Sequence, residues 1–187
     1  DGPLTFEKWI QSIAKGRSYV SDGYCHLLDY EASSEKSNLH TEVGVNGSEI
    51  SLNESENITF SADFAAKLEA GKSEVELVVN GYPVAKQEIK SDGSKTTVKF
   101  KHRIRESCWV AMRVFPNAHT NPIYITVKNQ PILGPTDSIR WCLAGVEQCW
   151  KSKQSVYAVD EQADAEAAYE HARKVYSDLI PEAEARD

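Results

Sequence analysis

The sequence contains few of the residues that build covalent or metal-held scaffolds. Only four cysteines occur, Cys25, Cys108, Cys142 and Cys149, and no two of them form a Cys-x-x-Cys pair. This number is too small for a disulfide framework, and the spacing excludes a zinc ribbon or a thioredoxin-like motif. We therefore predict four buried free thiols, while a bridge such as Cys25 to Cys108 stays open as the alternative.

Long apolar runs and an excess of positive charge are also missing. No run approaches the roughly 18 apolar residues of a membrane-spanning helix. The 21 Lys and Arg residues and 28 Asp and Glu residues give a net charge of −7, which argues against nucleic-acid or anionic-membrane partners. The only methionine is Met112, so we expect these 187 residues to be part of a longer product.

Sequence motifs for catalysis and metal binding are absent as well. The five histidines form no His-x-His and no His-Glu-x-x-His pattern, and neither a Gly-x-Ser-x-Gly elbow nor a P-loop occurs. The nearest pairing is His40 with Glu42, which lies in a polar stretch and is typical of a surface loop. We therefore predict no catalytic residue, no metal site and no cofactor in this chain.

Apolar periodicity predicts a helix near the N-terminus. Thr5 can cap it and Gly16 can end it. Between them, four apolar side chains recur at i, i+3, i+4 and i+7: Phe6, Trp9, Ile10 and Ile13. Residues 17–23 are expected to form a strand that runs into a turn.

Residues 24–135 show the alternation of apolar and polar residues that is typical of half-buried β-strands. The clearer strands are predicted around residues 58–64, 75–79, 84–89, 98–104, 108–115 and 123–127, and the weaker ones at 27–30, 41–45 and 49–52. Asn80-Gly81 predicts a tight hairpin, and Asp92-Gly93 predicts the next turn. Together these patterns predict a mainly β fold, an antiparallel immunoglobulin-like β-sandwich.

Residues 136–187 change to helical periodicity and predict a helical hairpin appended to the sandwich. We expect Asp137 or Ser138 to cap the first helix, Asp160 to cap the second and Pro181 to stop it. The apolar stripes are Ile139, Cys142, Leu143, Val146, Cys149 and Trp150 on the first helix and Ala165, Ala168, Tyr169, Ala172, Tyr176 and Leu179 on the second.

The loop at residues 115–122 is the most unusual segment. It places two prolines, two asparagines and a histidine between two strongly apolar strands, and it is costly to order unless its side chains bond to backbone. Two hypotheses stay open for Arg113, His119 and Asn121: a hydrogen-bonded structural corner, or the polar wall of a functional site. Asp22 likewise leaves two interpretations open, a tight turn and an ion ligand.

Two segments resemble a known family. Gly16-Arg-Ser-Tyr-Val-Ser-Asp-Gly23 resembles the Gly-Arg-(Ser/Thr)-(Tyr/Phe)-Val-x-(Asp/Asn)-Gly strand of PHP-type metallohydrolases of the carbaryl-hydrolase (CehA/McbA-like) group, in which a similar helix precedes it. His119-Thr-Asn-Pro-Ile-Tyr-Ile-Thr-Val127 is similar to the final strand of that family. The stretch from Ser138 to Trp150 resembles its C-terminal helix, and the Asn80 to Val84 segment fits the same tail region.

The resemblance implies a limited role. The metal ligands of the family are histidines and carboxylates in an α/β barrel, and none of its His-x-His pairs falls on a position here, so no catalytic residue carries over. It implies that residues 1–23 are the last helix and strand of such a barrel and that the divalent metal belongs to the parent enzyme. This chain would then be a non-catalytic structural module beside the barrel. Members of the family are often exported, which implies an extracytoplasmic location.

An independent carbohydrate- or protein-binding module is the alternative hypothesis. Its platform would consist of exposed aromatic residues. The candidates are Trp109, Tyr124, Tyr30 and Tyr82, although each is more simply explained as a core or edge residue. In the isolated chain, the apolar helix face of Phe6, Trp9, Ile10 and Ile13 needs a partner. We expect it to dock on the sandwich or to pair in a homodimer, with the homodimer favoured.

Overall fold

The computed structural model describes residues 3–186. In it, segments with alternating apolar and polar residues form β-strands, and segments with helical periodicity form α-helices. The elements are α1 (Phe6–Ala14), β1 (Tyr19–Ser21), β2 (Cys25–Ser34), β3 (Leu39–Glu42), β4 (Glu49–Leu52), β5 (Glu56–Val79), β6 (Tyr82–Ile104), β7 (Cys108–Val114), β8 (Ala118–Thr120), β9 (Ile123–Val127), α2 (Thr136–Lys153) and α3 (Gln162–Glu184). The chain divides between Ile132 and Leu133 into a β unit and a helical unit, slightly before the predicted boundary after residue 135.

The strands of the β unit form one curled sheet. Its order is β1-β8-β7-β5-β2-β3, with β6 paired to β5 and with β9 joining β7 to β4. Every pairing is antiparallel except that of β4 with β9. The long strand β5 pairs with β2 over residues 59–66 and with β7 over residues 76–79. It therefore connects the two layers of the curled sheet, one of which contains β2 and β3 and the other β7, β8 and β9. The predicted mainly β sandwich with an N-terminal helix and a C-terminal helical hairpin is confirmed.

The hairpin at Asn80-Gly81 forms as predicted, and its asparagine does more than turn the chain. Asn80 and Gly81 have φ values of 47° and 94°, as a type I′ turn requires, and Val79 pairs with Tyr82. The Asn80 side-chain oxygen accepts the backbone N–H of Trp109 at 3.0 Å, and the Asn80 N–H donates to the Trp109 carbonyl at 3.0 Å. The turn is therefore anchored to β7.

The predicted turn at Asp92-Gly93 is wrong, because these residues lie inside β6. Asp92 accepts the backbone N–H of Ser94 at 2.9 Å, and Gly93 has a φ of 92°. The opposite strand is also irregular, since the register shifts between Lys67 and Lys72. The local turn chemistry produces a bulge that bends two paired strands. The predicted strands at 58–64 and 75–79 are consequently parts of one strand, β5.

The core is built from the inward faces of both layers. Its largest fully buried side chains are Phe60, Phe64, Leu27, Ile58, Leu77, Ile104, Met112, Ile123, Ile125, Val75, Val98 and Val110. Tyr30 lies among them, stacks on Phe60 and donates its hydroxyl to the Val110 carbonyl at 3.1 Å. Tyr30 is therefore a core residue and not part of an exposed platform.

All four cysteines are free thiols, but only two of them are buried. Burial raises the pKa of Cys25 to about 11 and that of Cys108 to about 12. Cys142 is half-buried and Cys149 is exposed on the second half of α2. The prediction of four buried thiols is wrong for these two, because α2 presents them on a face that its partner helix does not fully cover.

The helical unit is a hairpin of α2 and α3. Leu133, Ile139 and Ala183 are buried together, and Trp150 packs on Tyr169 with ring centroids 5.0 Å apart. No helix in the described residues is long and apolar enough to cross a membrane.

The ends of these two helices differ from prediction. The residues preceding them are Pro135 and Glu161, and neither makes a side-chain capping hydrogen bond, so the predicted caps Asp137, Ser138 and Asp160 are wrong. The helix α3 also continues past Pro181 to Glu184. Pro181 removes only one backbone donor in the last turn, and the burial of Ala183 holds that turn in place.

Candidate functional site

The segment between α1 and β1 is fastened to the sheet at two points. The Asn121 amide donates to the Gly16 carbonyl at 2.9 Å and to the Ser18 hydroxyl at 3.0 Å. The Arg17 side chain donates to the Gly44 carbonyl. Gly44 has a φ of 78°, and a Cβ at this position would lie 2.9 Å from the Arg17 Cα, so only glycine permits this approach.

The segment that carries the family resemblance belongs to the sheet of the β unit. Tyr19, Val20 and Ser21 pair with residues 118–120 of β8. Asp22 follows, and its carboxylate accepts the backbone N–H groups of Tyr24 at 2.8 Å and Cys25 at 3.1 Å.

Asp22 is also bonded to the unusual loop. Its second carboxylate oxygen accepts the Asn117 amide at 2.6 Å, and its backbone N–H donates to the Asn117 carbonyl at 2.9 Å. The Asn117 amide, followed by the backbone donor of Tyr24, lowers the pKa of Asp22 below its ordinary value. The tight-turn interpretation accounts for all of these bonds.

The predicted corner of Arg113, His119 and Asn121 divides into separate sets of hydrogen bonds. Within residues 3–186 these three side chains make no hydrogen bond to one another. Arg113 donates to the Glu76 carboxylate at 2.5 Å, and Asn121 bonds to Gly16 and Ser18. The ring of His119 lies 3.1 Å from the Thr120 carbonyl. The three side chains therefore contact three different parts of the chain: Glu76, the Thr120 carbonyl, and the segment at Gly16 and Ser18.

Arg113, His119 and Asn121 all line a cleft of about 530 Å³ on the outer face of the sheet. Its floor consists of Val78 on β5 and Ala111 on β7, and its rim includes the exposed ring of Phe115. Trp109 and Tyr124 line the same cleft. The volume lies within the usual range of small-molecule sites, which is about 300–1,000 Å³.

The alternation of inward and outward side chains along β7 explains why the sheet has a cleft here. Trp109, Ala111 and Arg113 share the outer face, and residues four apart on a strand are about 13–14 Å apart. Ala111 has only a methyl group as its side chain, so a depression lies between the larger side chains of Trp109 and Arg113, which form its walls. Pairing extends each wall onto a neighbouring strand, because Trp109 lies opposite Tyr124 and Arg113 lies opposite His119.

An ion-pair network fixes the polar wall. The buried carboxylate of Glu76 accepts Arg113 at 2.5 Å and Lys86 at 2.9 Å. These cations, Lys86 before Arg113, lower the pKa of Glu76 below its ordinary value. The guanidinium carbon of Arg113 also lies 5.8 Å from the centre of the Phe115 ring. Arg113 is thus held from one edge, while its terminal N–H groups make no hydrogen bond within the described chain.

The predicted aromatic platform is present only in part. Trp109 and Tyr124 lie side by side in the cleft, whereas Tyr30 is buried and Tyr82 is exposed outside the cleft. No local sequence pattern indicates Glu76 as the partner of Arg113, because their pairing joins strands that are distant in the sequence. The small residue between two large ones on β7 was a usable signal for the cleft.

Among residues 3–186, no three or more His, Cys, Asp or Glu side chains are grouped so that they could hold a metal ion. The Asp22 carboxylate accepts two backbone N–H groups and the Asn117 amide, and the Glu76 carboxylate accepts Arg113 and Lys86. The cleft offers aromatic side chains on one side and hydrogen-bonding groups on the other.

No family model and no curated protein matches the sequence. Among solved structures, a β-glucosidase from Listeria innocua in complex with isofagomine is 14% identical, with a TM-score of 0.27, covering 59% of this chain and 17% of that chain. A lytic polysaccharide monooxygenase from Jonesia denitrificans is 19% identical, with a TM-score of 0.22, covering 43% of this chain and 56% of that chain. Since these TM-scores are low, the fold assignment rests on the strand pairing of the chain itself.

Proposed function

We propose that this chain is a non-catalytic accessory module of a PHP-like metal-dependent hydrolase, and that α1 is the surface that contacts the catalytic barrel. The observation that carries the proposal is the exposed apolar face of this helix. Phe6, Trp9, Ile10 and Ile13 are 77%, 49%, 45% and 46% exposed, respectively, although they form one stripe. A stripe of this kind on a surface helix normally packs on another element.

The available burial energy favours docking within one polypeptide. Covering the exposed parts of these four side chains is worth about 3–6 kcal/mol before ordering entropy. Association of two separate molecules costs about 4–15 kcal/mol of lost translational and rotational freedom. A covalently linked domain avoids most of that cost. A homodimer buries two such stripes, worth about 6–12 kcal/mol, which is similar in size to this association cost. The contact therefore favours a tethered barrel over a homodimer held by this helix alone.

The attachment of α1 suits such a contact. The bonds of Asn121 to Gly16 and Ser18 hold the base of the helix on the β unit, and Thr5 caps its first turn by accepting the Lys8 N–H at 3.3 Å. The helix is consequently formed and fixed at its base before it meets a partner. In this proposal the barrel supplies the divalent metal and all of its ligands, and this chain supplies packing.

The coding sequence upstream of Asp1 provides the first test. We expect several His-x-His and Asp ligands of a PHP-like barrel there, and an upstream sequence without them would refute the proposal. In the full-length product, Trp9→Ala should lower the melting temperature and expose the barrel to proteolysis. Trp141→Ala is the control, because Trp141 is also an exposed tryptophan on a helix but lies on α2 of the helical unit.

The chain on its own provides the second test. Sedimentation velocity should give a monomer over the micromolar range, with Trp9 open to a soluble quencher. A stable dimer that Trp9→Ala dissociates would replace the barrel with a second copy as the partner of α1.

A second candidate function, that of an independent binding module for carbohydrate or protein, is favoured by the cleft on the outer sheet face. It needs no catalytic parent, and it is compatible with the accessory role.

A further inference from the structure

We propose that the cleft bounded by Trp109, Tyr124, Arg113 and His119 binds a sugar ring of an uncharged glycan. This goes beyond the accessory role of the chain and rests on different residues from those of α1. It gives the binding-module candidate a definite site and a definite ligand class.

The aromatic wall matches the apolar face of a pyranose. Trp109 and Tyr124 are directly opposite each other on β7 and β9 and both line the cleft, so two neighbouring strands contribute an aromatic side chain to this wall. The C–H groups of a sugar ring carry a partial positive charge and pack on the negative face of an aromatic ring. The low floor of Val78 and Ala111 lets the ring lie against this surface.

The opposite wall matches the hydroxyl groups of the same ring. Arg113 and His119 both line the cleft. The two terminal nitrogens of the Arg113 guanidinium can bond two adjacent hydroxyls at once, and the His119 ring nitrogen that does not face the Thr120 carbonyl can bond one. Arg113 is already held by Glu76 and by the ring of Phe115, so little rotational entropy is lost when it binds a ligand. The wall is therefore preorganised.

The charge balance of the cleft selects against ionic ligands. The carboxylate of Glu76 neutralises Arg113, and Lys86 is bonded to both Glu74 and Glu76. With a net charge of −7 on the chain, no positive field attracts a phosphate or a nucleic acid. An extended peptide would require an unpaired strand edge, whereas this cleft lies on the face of paired strands. An uncharged ring with one apolar face fits these conditions.

Titration of the whole chain by NMR tests the proposal. The probes are cellohexaose, laminarihexaose, xylohexaose and mannohexaose, with benzoate and inorganic phosphate as probes of the ionic classes. We expect at least one glycan to shift the Trp109 indole N–H and the Ala111 methyl resonances in a saturable way. The dissociation constant expected for a single-ring site is about millimolar.

Matched variants decide whether the cleft is the site. Tyr124→Ala should weaken glycan binding about tenfold, and Arg113→Lys, which keeps the charge but loses the planar fork, should weaken it at least fivefold. Tyr82→Ala is the control and should change the affinity less than twofold, because Tyr82 is exposed outside the cleft. Circular dichroism of each variant shows that the fold is retained.

Several outcomes would overturn the proposal. They are the absence of saturable shifts with all four glycans, binding of benzoate or phosphate alone, and equal weakening by Tyr82→Ala and Tyr124→Ala. None of them depends on the upstream sequence or on sedimentation, so the failure of this site and the failure of the accessory role are distinguishable.

Discussion

Replacing Asn121 with alanine tests whether the loop at 115–122 is structural. The Asn121 amide is half-buried and joins β8 to the segment between α1 and β1 through the Gly16 carbonyl and the Ser18 hydroxyl. Alanine removes both donors without introducing a larger group. The Gly16 carbonyl keeps one partner, because the Ser18 N–H also donates to it at 2.8 Å.

The expected loss follows from these contacts. A hydrogen bond contributes about 0.5–1.5 kcal/mol of net stability, and neither acceptor becomes a fully buried orphan. We therefore expect Asn121→Ala to lower the free energy of unfolding by about 1–2 kcal/mol. For a domain of this size, that corresponds to a fall in melting temperature of about 3–8 °C.

Urea and thermal unfolding followed by far-UV circular dichroism measure this loss. Hydrogen exchange provides a local measure, since the backbone N–H groups of residues 16–18 should exchange faster in the variant. Asn53→Ala is the matched control, because Asn53 is exposed and makes no side-chain hydrogen bond in the described part of the chain. We expect its effect to be below about 0.5 kcal/mol.

One result would refute this reasoning. If Asn121→Ala left stability and exchange unchanged but lowered the rate of a full-length parent enzyme, Asn121 would belong to a site wall and not to a structural fastening. Equal losses in the Asn121 and Asn53 variants would also refute it, because the effect would not depend on the observed bonds.

Three further predictions concern other parts of the chain. Native-state alkylation should modify Cys149 first and Cys142 next. Cys25 and Cys108 should react only on unfolding, because they are buried and their pKa values are raised. Rapid modification of Cys108 would contradict the structure. NMR titration should place the Asp22 pKa below 3.8, and Asn117→Ala should return that pKa toward 3.8. The stability that the Asp22 hydrogen bonds provide is therefore present above pH 3.8 and is lost as the pH falls through the pKa of the folded state. Gly44→Ala should cost about 2–4 kcal/mol, whereas Gly47→Ala, with a positive φ but no atom within 4 Å, should show only the backbone cost of about 1–2 kcal/mol.

The sequence predicts the elements of the fold better than their connections. Alternation and the turn chemistry of Asn80-Gly81 are local, and they identify the strands and the hairpin. Asp92-Gly93 carries a similar local signal but forms a bulge, because pairing on both sides of it continues a strand. The end of α3 is likewise decided by the burial of Ala183, which outweighs the local effect of Pro181.

The candidate site depends on pairings that no local pattern contains. Arg113 and Asn121 were visible as polar residues beside apolar strands. Their partners, Glu76 and Gly16, are far away in the sequence and are brought to them by strand registers and by the folded loop. The cleft itself needs three strands in register around Ala111. A single sequence indicates which side chains are unusual, but the sheet decides which of them meet.

The length of β5 has a consequence for how the cleft can move. One end of this strand lies in the core beside β2, and the other end carries Glu76 and Val78 at the cleft, so both belong to the same hydrogen-bonded ladder. The floor of the cleft should therefore open only when the sheet as a whole unfolds, and its amides should be among the last to exchange. Any adaptation to a ligand is left to the rim at Phe115 and to the side-chain rotamers above a rigid base.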